Sequence, residues 1–336
     1  MIITILLTIL MLMLITVPHE LGHLITAKLF DIKVNEFAVG MGPLIAGRTK
    51  GDTQYSLRAI PIGGYCAMEA ENEESDDERA FNNKPAWQRL IVLVAGATVN
   101  VMVALLLMII ITTSVGIPTN TLDKVVPDSP AAVSGVEAGD EIISIDGKAT
   151  KSWADTVAAI SGNQGAKSIN VVVRRAGKQH SYSIRPTQDK DGRLVIGIVS
   201  KASHNVFVCA GQGAKLTWRL NGEMLGALRQ LFHKGITKDS VTGPIGMVSL
   251  VSQTAHTGLI AYLYLVALIS LNMAIVNLLP FPALDGGRII FVIIRKITGN
   301  MISDKVEGYM HIAGFAVLML LFVFVAWQDI LRLLGH

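Results

Sequence analysis

The chain has 336 residues, of which 51% are hydrophobic and only 16% are charged. Its mean hydropathy of +0.49 is too high for a water-soluble domain of this length, so the composition predicts an integral membrane protein. The formal net charge of +3 is not accompanied by a nucleic-acid-binding motif and does not indicate a nucleic acid partner.

Four apolar segments are long enough to cross a hydrocarbon core of about 30 Å, which takes about 20 helical residues. They are residues 2–27, 90–116, 258–279 and 308–328. Neither a basic n-region nor a small-residue cleavage site accompanies the first segment. We therefore expect residues 2–29 to be a retained anchor.

Basic residues are concentrated in two of the connecting segments, with eight in 28–89 and four in 286–306. The positive-inside rule predicts that these segments are cytosolic and that both termini and residues 118–257 lie on the other side of the membrane. Cys66 and Cys209 then lie on opposite sides, so a disulfide between them is not expected.

Residues 118–202 have the pattern of a small water-soluble domain. Short β-type runs alternate there with a turn signal at Asp146-Gly147 and a helix-like patch from Trp153 to Ile160. The stretch SPAAVSGVEAGDEIISIDG at 129–147 resembles a PDZ domain of the kind attached to bacterial proteases. PDZ domains bind extended peptides by strand addition. The alternative is a small β-rich cap without a ligand.

Two other segments show a pattern without a recognisable motif. In 203–257, five apolar residues recur at helical spacing and predict an amphipathic helix on the membrane surface or packed on the PDZ-like domain: Leu216, Leu220, Met224, Leu228 and Phe232. The acidic run EAENEESDDER at 69–79 is typical of a solvated loop.

The first apolar segment contains the sequence HELGH, at 19–23. His19 and His23 are four residues apart and therefore project from one helix face, and Glu20 follows the first of them. This pattern supplies two nitrogen ligands for Zn²⁺ and a carboxylate that can accept a proton. Because ionisable groups within a membrane span are costly, three of them at this spacing predict a zinc site.

A catalytic zinc ion needs a third protein ligand, and Asp285 is the best candidate. It follows Pro280 and Pro282, which end the third apolar segment. The first and third spans run in the same direction, so the histidines and Asp285 are both expected at the cytosolic end of their spans. His311 and Glu36 remain competing ligands, and LDGG at 284–287 can instead be a simple turn.

Several motifs spread over nearly the whole chain resemble the site-2 protease family, most closely its bacterial regulator of sigma-E protease (RseP-like) branch. They are HELGH at 19–23, GMGP at 40–43, PIGGY at 61–65, AFNNKPAWQR at 80–89, GPIG at 243–246 and NLLPFPALDGG at 277–287, together with the PDZ-like domain. Two features depart from the branch. There is room for only one PDZ domain, and position 97 is not proline, which we expect to affect packing alone.

The resemblance implies that His19, His23 and Asp285 bind zinc and that Glu20 is the general base. It also implies a membrane-associated β-hairpin around Gly40, Gly42, Gly63 and Gly64 whose strand edge takes up an unwound substrate; a plain cytosolic hairpin is the alternative. Asn272 and Asn277 are implied to bind substrate backbone, although they can instead satisfy helix ends freed by the prolines.

The predicted fold class is an α-helical polytopic membrane protein with four transmembrane helices, a membrane-associated β-hairpin region and an inserted extracytoplasmic PDZ-like α+β domain. Its predicted parts are a first membrane half (1–117), the PDZ-like domain (118–202), an amphipathic helix and linker (203–257) and a second membrane half (258–336).

The predicted function is zinc-dependent hydrolysis of peptide bonds within transmembrane segments of single-pass membrane proteins, such as anti-sigma factors or signal-peptide remnants. The expected partners are these substrates, the lipid bilayer and a peptide ligand of the PDZ-like domain. The expected location is the bacterial cytoplasmic membrane, with the active site near its cytosolic side. A zinc-binding scaffold or transporter without proteolytic activity is the alternative.

Overall fold

The structure is a computed structural model that describes residues 2–71, 75–163, 166–190, 192–234, 243–299 and 303–333. The chain divides into two compact units, residues 1–108 with 214–336, and residues 109–213. Part of the acidic run, residues 72–74, and residues 235–242 of the predicted helix-and-linker segment lie outside the described residues.

The order of helices and strands along the chain places the second unit between two parts of the first. The first unit opens with α1 (Ile2–Leu29), β1 (Val34–Lys50), β2 (Thr53–Met68) and α2 (Ala86–Val115). The second unit follows with β3 (Ile117–Val125), α3 (Pro130–Val133), β4 (Glu141–Ile145), β5 (Lys148–Ala149), α4 (Trp153–Ser161), β6 (Ile169–Arg175), β7 (Lys178–Ile184), β8 (Thr187–Gln188), β9 (Leu194–Val195) and β10 (Ile198–Ser203). The chain returns through α5 (Val206–Lys234) to α6 (Pro244–Thr257), α7 (Leu259–Asn277), α8 (Asp285–Thr298) and α9 (Asp304–Leu333).

Four of the described helices, α1, α2, α7 and α9, are long and apolar enough to cross a membrane. The prediction of four such segments is therefore confirmed. Helix α2 continues without interruption through Ala97, which is buried. The segment 286–306, predicted as a basic loop, instead contains most of α8. Its apolar residues repeat at helical spacing, and Phe291, Val292 and Arg295 are buried on one face.

Helix α1 is held against α2, α6 and α7. Its residues Met11 and Ile15 belong to a buried apolar cluster that also contains Val251, Tyr262, Leu265 and Val266. Gly22 permits close approach to α2, because a Cβ there would lie 2.8 Å from the carbonyl oxygen of Ala95. The Ser270 hydroxyl of α7 donates to the carbonyl oxygen of Asn100 in α2 at 2.9 Å. These contacts fix the relative depths of the helices that carry the predicted ligands.

Strands β1 and β2 form an antiparallel pair with several register shifts. Residues 34–39 have Gly64–Met68 as partners on one side and Gln54–Leu57 on the other, while Leu44–Lys50 pairs with Thr53–Arg58. The segment Gly64–Met68 is therefore an outer edge, and no further strand pairs with it among the described residues. We call this segment the edge strand.

The second unit is a small sheet closed by short helices. Its strand order is β10-β3-β4-β6-β7, with β5 paired to β4. Asp146 and Gly147 both have positive φ and join β4 to β5, which confirms the predicted turn. Helix α4 begins at a capping box in which Ser152 and Asp155 bind each other's backbone N–H groups.

Candidate metal centre

The side chains of His19, His23 and Asp285 meet in the first unit. Nε2 of His19 lies 3.2 Å from Nε2 of His23, and the two nitrogens lie 3.3 Å and 3.5 Å from Oδ2 of Asp285. Both histidines are buried, with exposed fractions of 3% and 6%. This is the one group of three or more histidine, cysteine, aspartate or glutamate side chains with metal-binding spacing found in the part of the chain that the structure describes.

The arrangement fits a zinc ion in three respects. Two ligand atoms that each lie about 2.05 Å from a zinc ion, at a tetrahedral angle to each other, are about 3.3 Å apart. The three separations between the ligand atoms here are close to that distance. Oδ2 of Asp285 is buried and has no hydrogen-bond donor among the described residues. A Cβ on Gly96 would lie 2.4 Å from Nε2 of His23 and 2.8 Å from Nε2 of His19, so glycine leaves open the space beside both nitrogens.

Backbone and amide groups orient the two imidazoles. Nδ1 of His23 lies 2.8 Å from the carbonyl oxygen of Val92, which can only accept, so Nδ1 carries the proton and Nε2 is left as a ligand atom. Nδ1 of His19 lies 3.3 Å from the Asn100 carboxamide, and Nε2 of His19 lies 3.0 Å from the carboxamide nitrogen of Asn277. Asn100 is completely buried and its Oδ1 has no partner among the described residues.

Glu20 lines a cavity of about 320 Å³ next to these residues. The other lining residues come from α1, the edge strand, the segment before α2, α2, the end of α7, the turn after α7 and the start of α8. They are His19, His23, Tyr65, Cys66, Met68, Glu71, Leu93, Asn277, Ala283, Leu284, Asp285 and Arg288. Arg288 pairs with Glu71 at this cavity. The edge strand approaches Glu20 closely, since a Cβ on Gly64 would lie 3.7 Å from Cγ of Glu20.

The two competing ligands are engaged elsewhere. Glu36 receives hydrogen bonds from Arg58 and from the Tyr65 hydroxyl, at 2.7 Å each. Burial raises the pKa of Glu36, but the polar side chains of Ser56, Tyr65 and Arg58 beside the carboxylate outweigh this effect and leave the pKa below its ordinary value. His311 accepts a hydrogen bond from the backbone N–H of Ala283 at 2.9 Å and is not part of the three-residue cluster.

The residues predicted to bind substrate are only partly brought to the cavity. Asn277 and Gly64 lie beside His19 and Glu20. Gly40, Gly42 and Gly63 have positive φ and lie where the pairing of β1 with β2 is irregular. Asn272 is exposed and is not among the residues that line the cavity.

Three contributors to the site were not identified from the sequence: Gly96, Asn100 and the Glu71–Arg288 pair. Asn100 carried a usable signal, because a lone amide within the second apolar segment is costly in the same way as the histidines of the first. Gly96 carried none, since a glycine within an apolar helix does not reveal what packs against it.

Comparison with known proteins gives matches that cover most of the chain. The model of peptidase family M50 matches residues 7–321. The regulator of sigma-W protease RasP of Bacillus subtilis is 29% identical over 404 aligned positions, which cover 94% of this chain and 95% of RasP. The chloroplastic membrane metalloprotease ARASP of Arabidopsis thaliana is 30% identical over 95% of this chain and 77% of its own length.

Several solved structures match part of the chain, among them PDZ domains. The PDZ domain of the SdrC-like protein from Listeria innocua is 30% identical, with a TM-score of 0.23. The match covers 27% of this chain and 99% of that domain.

Proposed function

The chain belongs to peptidase family M50 and is an intramembrane zinc metalloprotease of the site-2 type, acting in regulated intramembrane proteolysis; from this premise we propose that His19, His23 and Asp285 hold the zinc ion and that Glu20 is the catalytic acid–base. The observation that carries the proposal is the triangle of three ligand atoms 3.2–3.5 Å apart beside the open space at Gly96. A set of two histidines and one carboxylate leaves a fourth position for a reacting group.

Each proposed residue has a distinct part in the reaction. Bound zinc supplies Lewis acidity that polarises the scissile carbonyl and lowers the pKa of water. Glu20 accepts a proton from the attacking water as its oxygen adds to the carbonyl carbon, and then donates that proton to the leaving amine nitrogen as the C–N bond breaks. The carboxamide nitrogen of Asn277 lies 3.0 Å from Nε2 of His19; when that lone pair is taken by zinc, the amide N–H is free to donate to the carbonyl oxygen that gains negative charge.

The edge strand is the proposed docking site for the substrate backbone. A transmembrane helix satisfies its own N–H and C=O groups, so it has to unwind before a peptide bond becomes accessible. An open strand edge can then replace the lost hydrogen bonds by strand addition. The closeness of Gly64 to Glu20 supports this role, because a chain paired with the edge strand runs past the proton-carrying carboxylate.

The proposed topology follows from the distribution of basic residues. Four spans cross the cytoplasmic membrane, both termini and the 118–257 region are extracytoplasmic, and the zinc site is near the cytosolic side. The proposed parts are residues 1–117, 118–202, 203–257 and 258–336, the second being a PDZ domain. Its role is to bind a newly exposed peptide end or to exclude substrates with large outer domains.

The proposed substrates are single-pass membrane proteins within the bilayer. The B. subtilis relative is named a regulator of sigma-W protease, which supports anti-sigma factors as one substrate class for this chain. Signal-peptide remnants are a second class with the same chemistry, an apolar helix without a large outer domain.

The substitution Glu20→Gln separates catalysis from metal binding. It keeps the size of the side chain and removes its basicity, so we expect zinc content to be unchanged and cleavage of a single-span substrate in detergent to fall by at least about a hundredfold. Glu223→Gln is the matched control, since Glu223 is exposed on α5 and pairs with Arg219. A zinc chelator is expected to abolish cleavage by the wild-type chain. Cleavage at the wild-type rate by the Glu20→Gln variant would refute the assignment of Glu20.

A further inference from the structure

Asp285 is carried by an unusual turn between α7 and α8. Helix α7 ends at Asn277, and α8 begins at Asp285 itself. Ala283, two residues before the ligand, has a φ of +79°, which is unfavourable for a residue with a Cβ. Such a conformation persists only where surrounding groups hold it.

The group that holds the Ala283 backbone in this conformation is His311, on the fourth apolar helix, α9. The backbone N–H of Ala283 donates to Nδ1 of His311 at 2.9 Å. Because an N–H group can only donate, Nδ1 is unprotonated, and the single proton of the neutral imidazole is on Nε2.

Nε2 of His311 faces a buried ion pair. It lies 3.7 Å from Oε1 of Glu307, whose Oε2 lies 2.8 Å from Nη2 of Arg295 on α8. All three side chains are buried, with exposed fractions of 6–7%. The carboxylate favours a proton on Nε2 and therefore the tautomer that accepts from Ala283.

A second contact joins α9 to the same turn. Gly314 lies one turn after His311, and a Cβ there would lie 2.5 Å from the carbonyl oxygen of Pro282. Helix α9 thus touches the backbone of two consecutive residues, Pro282 and Ala283, just before Asp285.

The geometry points to His311 as a positioning residue that fixes the Ala283 turn and thereby holds the Asp285 carboxylate at the zinc site. This inference rests on the proposed zinc ligands. It assigns a role in the metal centre to the fourth apolar helix, which contributes no ligand itself. In this arrangement the buried Arg295–Glu307 pair selects the tautomer of His311.

The test compares three substitutions of one residue in the full chain purified in detergent. In asparagine the carboxamide oxygen Oδ1 is bonded to Cγ, as Nδ1 is in histidine, so His311→Asn keeps an acceptor for Ala283. In glutamine the carboxamide is one bond further out, and leucine has no acceptor. We expect His311→Leu and His311→Gln to raise the zinc dissociation constant about 10–100-fold, measured by chelator competition, and His311→Asn to raise it only a few-fold.

Two control variants separate the outcomes. Asp329→Ala removes the buried carboxylate on α9 that accepts from the N–H groups of Gly243 and Gly246, so it is expected to lower the melting temperature without changing zinc affinity. His23→Ala removes a proposed ligand. If His23→Ala loses zinc while His311→Gln and His311→Asn bind it equally, the inference about His311 is overturned. If His23→Ala retains zinc, the proposed site itself has failed. Since glutamine and asparagine are both polar, this comparison stands even if His311→Leu does not fold.

Discussion

A methyl group on Gly96 of α2 would lie 2.4 Å from Nε2 of His23 on α1, nearer than any non-bonded carbon and nitrogen can approach. The same methyl group would lie 2.6 Å from Cε1 of His19. The absence of a side chain at Gly96 therefore leaves room for whatever the two imidazoles bind.

Gly96→Ala is expected to abolish zinc binding. The added carbon has to displace both imidazoles or take the place of the metal, and α1 and α2 are too closely packed at Gly22 and Ala95 to separate easily. Zinc content of the purified chain, by elemental analysis, measures this directly. Gly226→Ala is the control, because Gly226 is exposed in α5 and a Cβ there meets no described residue within 4 Å. Full zinc occupancy in the Gly96→Ala variant would contradict the proposed site.

Asn100→Leu is expected to weaken zinc binding about 10–100-fold while leaving the chain folded. When Nε2 of His19 is a ligand, the proton of the neutral imidazole is on Nδ1, which needs an acceptor. Rotation of the Asn100 carboxamide presents Oδ1 to that proton at the observed 3.3 Å separation. Leucine fills the space without accepting.

Two companion variants test whether this effect comes from the acceptor. Asn100→Asp keeps an acceptor and is expected to retain zinc. Thr98→Val removes a hydroxyl on the same helix whose one hydrogen bond among the described residues is to the carbonyl oxygen of Val94, and it is expected to have no effect. If Asn100→Asp bound zinc as weakly as Asn100→Leu, Asn100 would act through packing alone.

The sequence predicted the spans and the candidate ligands because each depends on local information. Apolar length sets the four long helices, and a spacing of four residues puts His19 and His23 on one helix face. The position of Asp285 after the prolines at the end of a span predicts it as a ligand, and the structure brings it to the histidines.

The remaining features depend on contacts between distant segments. The pairing of residues 34–39 with two parts of β2 requires register shifts. The alternation of apolar and polar residues along the strands does not predict such shifts. The sequence does not predict helix α8, because its 14 residues are too few to span a membrane and include basic residues typical of a cytosolic loop. The sequence offers His311 as a competing ligand, but its bond to Ala283 depends on the packing of α9 against the turn.

The second unit is expected to lose stability in acid through Asp140. This carboxylate is fully buried, and burial raises its pKa. Hydrogen bonds from Arg175 and from the N–H of Glu137 outweigh the effect of burial and hold the pKa below its ordinary value. Because the pKa of Asp140 is lower in the folded state, its ionised form stabilises the unit at pH values above the unfolded-state pKa of about 3.9. This stabilisation is lost as the pH falls from that value through the folded-state pKa.

Hydrogen exchange of β4 and β6 in the full chain, corrected for intrinsic rates, measures this loss between about pH 6 and about pH 3. Asp140→Asn is expected to be less stable at the upper pH and to show a flatter pH dependence. Glu141→Gln, which removes an exposed partner of Arg174, is expected to behave like wild type. An unchanged pH dependence in the Asp140→Asn variant would assign the acid sensitivity to another group.

Gly64→Ala is expected to lower kcat/KM for a single-span substrate by about tenfold to a hundredfold while zinc binding persists. The Cβ would lie 2.7 Å from the carbonyl oxygen of Ala38, so the edge strand has to shift from its partner at the point where it passes Glu20. A displacement of this kind misaligns a substrate paired with the edge strand, but it does not touch the zinc ligands. Gly47→Ala in β1 is the matched control, because its nearest neighbours lie at 3.5 Å, an ordinary contact distance. Equal kcat/KM values for Gly64→Ala and Gly47→Ala would show that the substrate does not depend on this strand.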